Sequence, residues 1–199
     1  NGQKAVLSLA SGRSMRDLFV ELVRLHKEEG LSFKNVVVFG SYEFYPLSDT
    51  TSGSMAQIQS QLLEHVDILP ENVHTFPGDL PKEDVFAFCE EYEKAIVEAG
   101  GIDVQVLGIG QCGNIAMNEP GTQPNSSTRL VIMDGNSRVD AKSLFGNIAQ
   151  VPTCAITLGI DTILQAKEVI LLAFGQHKAG IVKQAIEEVA SAACPASYL

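Results

Sequence analysis

The 199-residue chain has no tryptophan, few basic residues and only four cysteines. Cys89, Cys112, Cys154 and Cys194 lie far apart and form no CxxC pair. Three of them sit among apolar or small residues, as reduced core cysteines do. That spacing speaks against a zinc or disulfide framework and suits a reducing cytoplasm, so neither a metal nor a cofactor is expected. Lys plus Arg number 14 against 24 Asp plus Glu, a formal charge of −10. Binding nucleic acid by counterion release needs clustered cations, so nucleic acid is not expected as a partner. An anionic ligand would need a locally positive pocket. No apolar run reaches the roughly 18 residues of a membrane span. The opening NGQKAV does not read as a signal peptide, and no membrane association is expected.

What is present reads as an ordinary globular balance, with 45% hydrophobic and 19% charged residues. The length suits one domain with a substantial core. Short apolar runs alternate with amphipathic stretches along the whole chain. KAVLSLA, NVVVF, VQVLGIG, STRLVIM, TCAITLG and EVILLAF read as strands. SMRDLFVELVRLHKEEG reads as a helix, with Met15, Leu18, Phe19, Leu22, Val23 and Leu25 near one face. Ser14 is its expected N-cap and Gly30 its stop. Helices are also expected over SMAQIQSQLLEHV, KEDVFAFCEEYEKAIVEAGG, DTILQA and HKAGIVKQAIEEVASA. Apolar strands separated by helices imply an α/β fold, a single domain with a mostly parallel, doubly wound sheet covered on both faces.

In such folds ligands bind beyond the carboxyl ends of the strands. Four loops occupy that position: SGRS after the first strand, GSYEF after the second, GQCGNIAMNEPG after the third and GQHK after EVILLAF. Ser11, Gly12 and Ser14 place a glycine and two hydroxyls before a helix, where backbone N–H groups can seat a phosphate and Arg13 can add charge. Lys178 at another helix start opposes the helix dipole, which points to service of an anion, with a solvated surface Lys as the alternative. His177 is assigned no role, and His26, His65 and His74 read as surface or half-buried residues. Glu119 lies at a turn beside the ligand loops, where it either orients a partner or caps its own turn. Arg129 and Arg138 are candidate anion contacts or ion-pair partners.

These residues resemble the glucosamine-6-phosphate deaminase family, whose members convert an amino-sugar phosphate to fructose-6-phosphate and ammonia. VLGIGQCGNIAMNEPG is similar to the family's GIGxDGHIAFNEPG, and VLSLASGRS to its phosphate loop LGLPTGxTP. LVRLHKEEGLSFKNVVVF, STRLVI, VPTCAITLGIDTIL and EVILLAFGQHKA follow the family in order and spacing. The likeness runs nearly end to end. Members usually carry a helical segment before the first strand and a further strand after the position of Leu199. Residues 1–199 therefore resemble a deaminase-like domain trimmed at both ends. A fold relative hydrolyses 6-phosphogluconolactone, so the scaffold hosts more than one chemistry.

The resemblance implies that Ser11, Gly12, Arg13, Ser14 and Lys178 bind the substrate's phosphate, with Arg13 standing where a small residue is usual. It implies that Glu119 is the catalytic-site glutamate. The proton-handling positions differ. Tyr42 stands where the family's FNMDEY loop has its proton-shuttling Asp, and Cys112 and Asn114 replace the Asp and His that help open the sugar ring. A shuttle needs a pKa near working pH. Tyr and Cys lie near about 10 and about 8.5, and Asn does not titrate. Glu43 is a conceivable displaced base, although one residue along the loop it is expected to point elsewhere.

Three readings follow. The foremost is a protein that binds a hexose or amino-sugar phosphate with impaired or absent deaminase activity, as a sensor, regulator or partner subunit. The second is a divergent deaminase or related sugar-phosphate hydrolase using Glu43, Cys112 or Glu119. Cys112 as a nucleophile would lack an activating base, since Asn114 cannot be one. The third is a structural or interaction protein on a relic scaffold. Family members often assemble as oligomers, which makes a homo-oligomer one expectation.

Overall fold

A computed structural model describes residues 4–199; the first three residues of the opening read above lie outside the described residues. In chain order the strands are β1 (Ala5–Leu9), β2 (Val36–Gly40), β3 (Tyr42–Tyr45), β4 (Val73–His74), β5 (Val104–Gly108), β6 (Arg129–Ile132), β7 (Cys154–Thr157) and β8 (Glu168–Leu172). The α-helices are α1 (Arg16–Glu29), α2 (Ser54–Gln61), α3 (Val85–Glu98), α4 (Gly135–Phe145), α5 (Ile160–Leu164) and α6 (Ala179–Glu187).

Five strands form a parallel sheet in the order β4-β2-β1-β5-β8. The order reverses at β1, whose neighbours are β2 on one side, in register from Ala5↔Val36 to Leu9↔Gly40, and β5 on the other. Alternation within each strand feeds two cores. Val6, Val37, Phe39 and Leu107 pack with Val85, Cys89, Tyr92 and Ile96 of α3 on one face. Leu9, Val38 and Val106 pack with Phe19 of α1 and Ile58 of α2 on the other. This is the doubly wound α/β arrangement that the strand–helix alternation implies.

Two strands expected within that sheet lie elsewhere. β6 and β7 form a separate antiparallel sheet with β3, in the order β3-β7-β6. Their apolar runs look the same in sequence whichever neighbour they pair with, so the periodicity could not assign them. β3 itself, only four residues long and divided from β2 by Ser41 alone, read as loop. Ser41 joins the two sheets: its N–H donates to Leu9 and its carbonyl accepts from Leu158, both at 2.9 Å. α4 was also illegible, because its sequence is polar and its apolar anchorage is tertiary. Phe145 meets Phe44 of β3 edge-on at 5.1 Å.

Helix boundaries moved in two instructive places. A 3-10 turn at Arg13–Met15 precedes α1, and Met15, not Ser14, is its N-cap, so the Ser14 hydroxyl makes no capping bond. The predicted helix over 54–66 stops at Gln61 and gives way to a 3-10 turn, Leu63–His65. Gly30 ends α1 as expected, with φ 76°, a left-handed conformation that glycine adopts without strain. All four cysteines are free thiols. Among the described residues no helix is long and apolar enough to cross a membrane, and no group of three His, Cys, Asp or Glu is placed to hold a metal ion.

Candidate functional site

Strand order reverses between β1 and β5, and in doubly wound folds the carboxyl ends of the strands beside such a point are the place where ligands bind. The loop after β1 runs through Ser11 and Gly12, the latter at φ 113°, a backbone conformation that a side chain rarely tolerates. Ser14 lies against the end of β5: a Cβ added at Gly108 would sit 3.8 Å from the Ser14 hydroxyl oxygen. Lys178 reaches the same strand end from the 3-10 turn that precedes α6, and its Nζ donates to the Ile109 carbonyl at 2.9 Å. An ammonium has three protons, so this tether fixes the charge at the carboxyl end of β5 and leaves donors for a ligand. Ser11 follows β1, while Ser14 and Lys178 both reach the carboxyl end of β5. Arg13 is exposed and instead lines a cleft of about 330 Å³ with Val139, Asp140 and Lys142 of α4. His177 is exposed.

Tyr42 stands at the start of β3. Its hydroxyl lies 2.9 Å from the Ser11 hydroxyl, and its ring meets Phe44 edge-on at 5.8 Å. Burial pushes the phenol pKa up, outweighing the Ser11 contact that lowers it. Glu43 points the other way, as strand alternation requires. It is 3% exposed, and its two oxygens accept from the amides of Phe44 at 2.8 Å, Ser54 at 2.7 Å and Met55 at 2.9 Å. A carboxylate at the amino end of α2 complements the helix dipole. Burial raises its pKa against those three bonds. The expectation that Glu43 faces away from Tyr42 is met, and its carboxylate serves α2.

The long loop after β5 turns through Gly110 and Gly113. Gly110 lets the Asn114 side chain lie close against the loop backbone, since a Cβ there would meet its amide group. Four positions of this loop meet the amino-terminal half of α4 or its cap. Gln111 donates to Asp140 at 3.1 Å, Asn136 to the Cys112 sulfur at 3.4 Å, and Asn114 to Ser137 at 3.5 Å. Glu119 Oε1 accepts from the Asp134 amide at 3.2 Å, while its Oε2 is buried without a partner. Burial pushes the Glu119 pKa up, opposed by Ser137 and the Asp134 amide and reinforced by the charges of Asp134 and Asp140. Cys112, Asn114 and Glu119 are therefore gathered beneath α4.

The two other arginines divide differently. Arg138 donates to the carbonyls of Ile148 and Val151 and so braces the segment after α4. Arg129 donates to Asn118 at 3.0 Å and Ser127 at 3.2 Å, beside a cleft of about 580 Å³ that Glu119, Thr122 and Gln123 also line. Sequence reasoning missed a buried polar cluster where β1, β5 and Ser41 meet. Ser8, Ser41 and Gln105 are fully buried, with the two serine hydroxyls 3.1 Å apart and Gln105 donating to Ser41 at 3.0 Å. Ser8 and Gln105, each interrupting an apolar strand, were the available signal. It also missed α4, which supplies Asn136 and Ser137.

The sequence model described as glucosamine-6-phosphate isomerases/6-phosphogluconolactonase matches residues 1–199. The chain belongs to this glucosamine-6-phosphate isomerase and 6-phosphogluconolactonase family. A putative glucosamine-6-phosphate deaminase-like protein of Bacteroides thetaiotaomicron is 47% identical over all 199 residues, but this chain spans only 30% of that protein's length. A glucosamine-6-phosphate deaminase of Shewanella loihica is 41% identical over 196 residues, covering 98% of this chain and 72% of its own. Among solved structures, a monomeric glucosamine-6-phosphate deaminase of the same family superposes with TM-score 0.93 at 35% identity, over 98% of this chain and 80% of its own. The 6-phosphogluconolactonase of Thermotoga maritima superposes at 0.76 with 22% identity, over 100% of this chain and 82% of its own, a likeness of fold.

Proposed function

We propose that this chain binds a hexose or amino-sugar phosphate and has lost most or all deaminase turnover. One observation carries the reading. Ser11, Ser14 and Lys178 lie at the carboxyl ends of β1 and β5, whereas the three positions that handle protons in the resembled enzymes hold Tyr42, Cys112 and Asn114. The phosphate contacts are kept and the acid–base set is not. A phosphate seated there would meet the loop amides, two hydroxyls and one ammonium, the donor set that oxyanions require. Loss of one general acid or base typically costs about 10²–10⁴ in rate, and such losses do not add.

Glu119 supports a second reading, residual deamination. Its buried carboxyl holds a proton more readily than a free glutamic acid, which suits a general acid. Thermal-shift titration with glucosamine-6-phosphate, fructose-6-phosphate and glucosamine, paired with an ammonia-release assay, separates the two. A saturable, phosphate-dependent shift without ammonia is expected, since a ligand that binds only the folded state raises its melting point. Ammonia release that disappears in Glu119→Gln would favour residual deamination. No shift with any phosphosugar would remove the binding reading altogether.

A further inference from the structure

We propose that Tyr42 is itself a ligand-contact residue, its hydroxyl donating to the bound phosphoryl group beside Ser11. The proposal rests on the sugar-phosphate reading above. The two hydroxyls lie 2.9 Å apart, so one donates and the other accepts, and one hydrogen bond uses both oxygens. A phosphoryl group presents only acceptors to them. On its arrival both O–H groups can rotate outward, and one neutral hydrogen bond is exchanged for two charge-assisted ones.

Behind Tyr42 stands Ser54, fully buried, whose hydroxyl oxygen has no hydrogen-bond partner. It lies near enough to the phenol to act on its proton affinity. Its amide is already committed to Glu43 at 2.7 Å. Once Tyr42 donates forward, its oxygen is free to accept from Ser54, which satisfies the orphan. The chain Ser54 to Tyr42 to phosphate is a hydrogen-bond relay in which each hydroxyl donates once. The phenol stays protonated throughout, because burial holds its pKa up. Phe44 packs edge-on against the ring at 5.8 Å and favours this placement of the hydroxyl. A side chain that cannot shuttle protons at neutral pH thereby becomes a fixed donor.

Calorimetric titration with inorganic phosphate, glucosamine-6-phosphate and glucosamine tests this on the wild type, Tyr42→Phe and Ser54→Ala. Tyr42→Phe keeps the ring and removes only the oxygen, and a thermal melt establishes that each variant is folded. Removing a hydrogen bond to a charged group is expected to weaken phosphate and glucosamine-6-phosphate alike by about tenfold or more, with glucosamine unaffected. Ser54→Ala is expected to weaken the same two ligands by a smaller factor. Wild-type affinity retained within about twofold in Tyr42→Phe overturns the proposal while leaving the binding reading intact. Weaker sugar phosphate with unchanged phosphate also overturns it, because the hydroxyl then touches the sugar. A wild type that binds neither phosphate ligand removes the binding reading, and this inference with it.

Discussion

Glu43→Gln tests the assignment of Glu43 to the frame and not to the chemistry. The carboxylate is 3% exposed and accepts three backbone N–H groups, two on Oε1 and one, from Met55, on Oε2. Gln can keep the Oε1 bonds but sets an NH₂ group against the Met55 amide. A buried donor left facing another donor costs about 1–3 kcal/mol. Loss of negative charge at the start of α2 removes about 0.3–1 kcal/mol more. Relief from burying a charge works in the opposite direction, consistent with the raised pKa of Glu43. A net loss of about 1–2 kcal/mol is expected at neutral pH. For a chain of this length that lowers the melting temperature by roughly 2–8 °C. The assay is thermal denaturation with and without glucosamine-6-phosphate, beside ammonia release. An unchanged melting point would refute the capping argument. A normal melting point together with loss of ammonia release would make Glu43 a displaced base and refute the assignment outright.

Lys178→Met should weaken phosphosugar binding by about tenfold or more in calorimetry while leaving the melting point near wild type, because among the described residues its side chain bonds one carbonyl. Gly159→Ala should lower the melting temperature by roughly 4–12 °C, since a Cβ there falls 1.9 Å from the Ser126 carbonyl oxygen, which is backbone and cannot yield cheaply. The raised pKa of Glu119 means that the folded state keeps its proton to higher pH than the unfolded chain. Its contribution to stability is full below the unfolded value near about 4.5 and is lost as pH rises through the folded value. Urea midpoints between about pH 4 and 7 should therefore show a downward component that Glu119→Gln abolishes. Restoring Tyr42→Asp, Cys112→Asp and Asn114→His together should raise ammonia release by about a hundredfold or more, given that each group is worth about 10²–10⁴. No gain from a folded, phosphosugar-binding triple variant would show that turnover is blocked elsewhere.

The sequence by itself determined the main sheet and its cover. Valine-rich runs such as 36–38 cannot be left half wet, and the period of Met15, Phe19 and Leu22 fits only a helix laid against them, so the doubly wound layering was legible. The strand-end loops were legible for the same reason, because the layering dictates where they gather. Pairing was not. β6 and β7 carry apolar patterns that serve a parallel or an antiparallel neighbour equally, and only β3, supplied from the far side of Ser41, decided the matter. Nor was α4 legible, whose polar sequence becomes a helix when Asp134 accepts from Asn136 and Phe145 finds Phe44. The site divides along the same line. Ser11, Ser14, Lys178 and Glu119 could be picked out by their place in loops, whereas the direction in which Tyr42 and Glu43 face depends on the alternation of a strand the sequence did not announce. Local patterning fixes which residues must be buried; only the packed chain fixes which buried groups meet, and the Tyr42–Ser11 contact joins a strand of the small sheet to a loop of the large one.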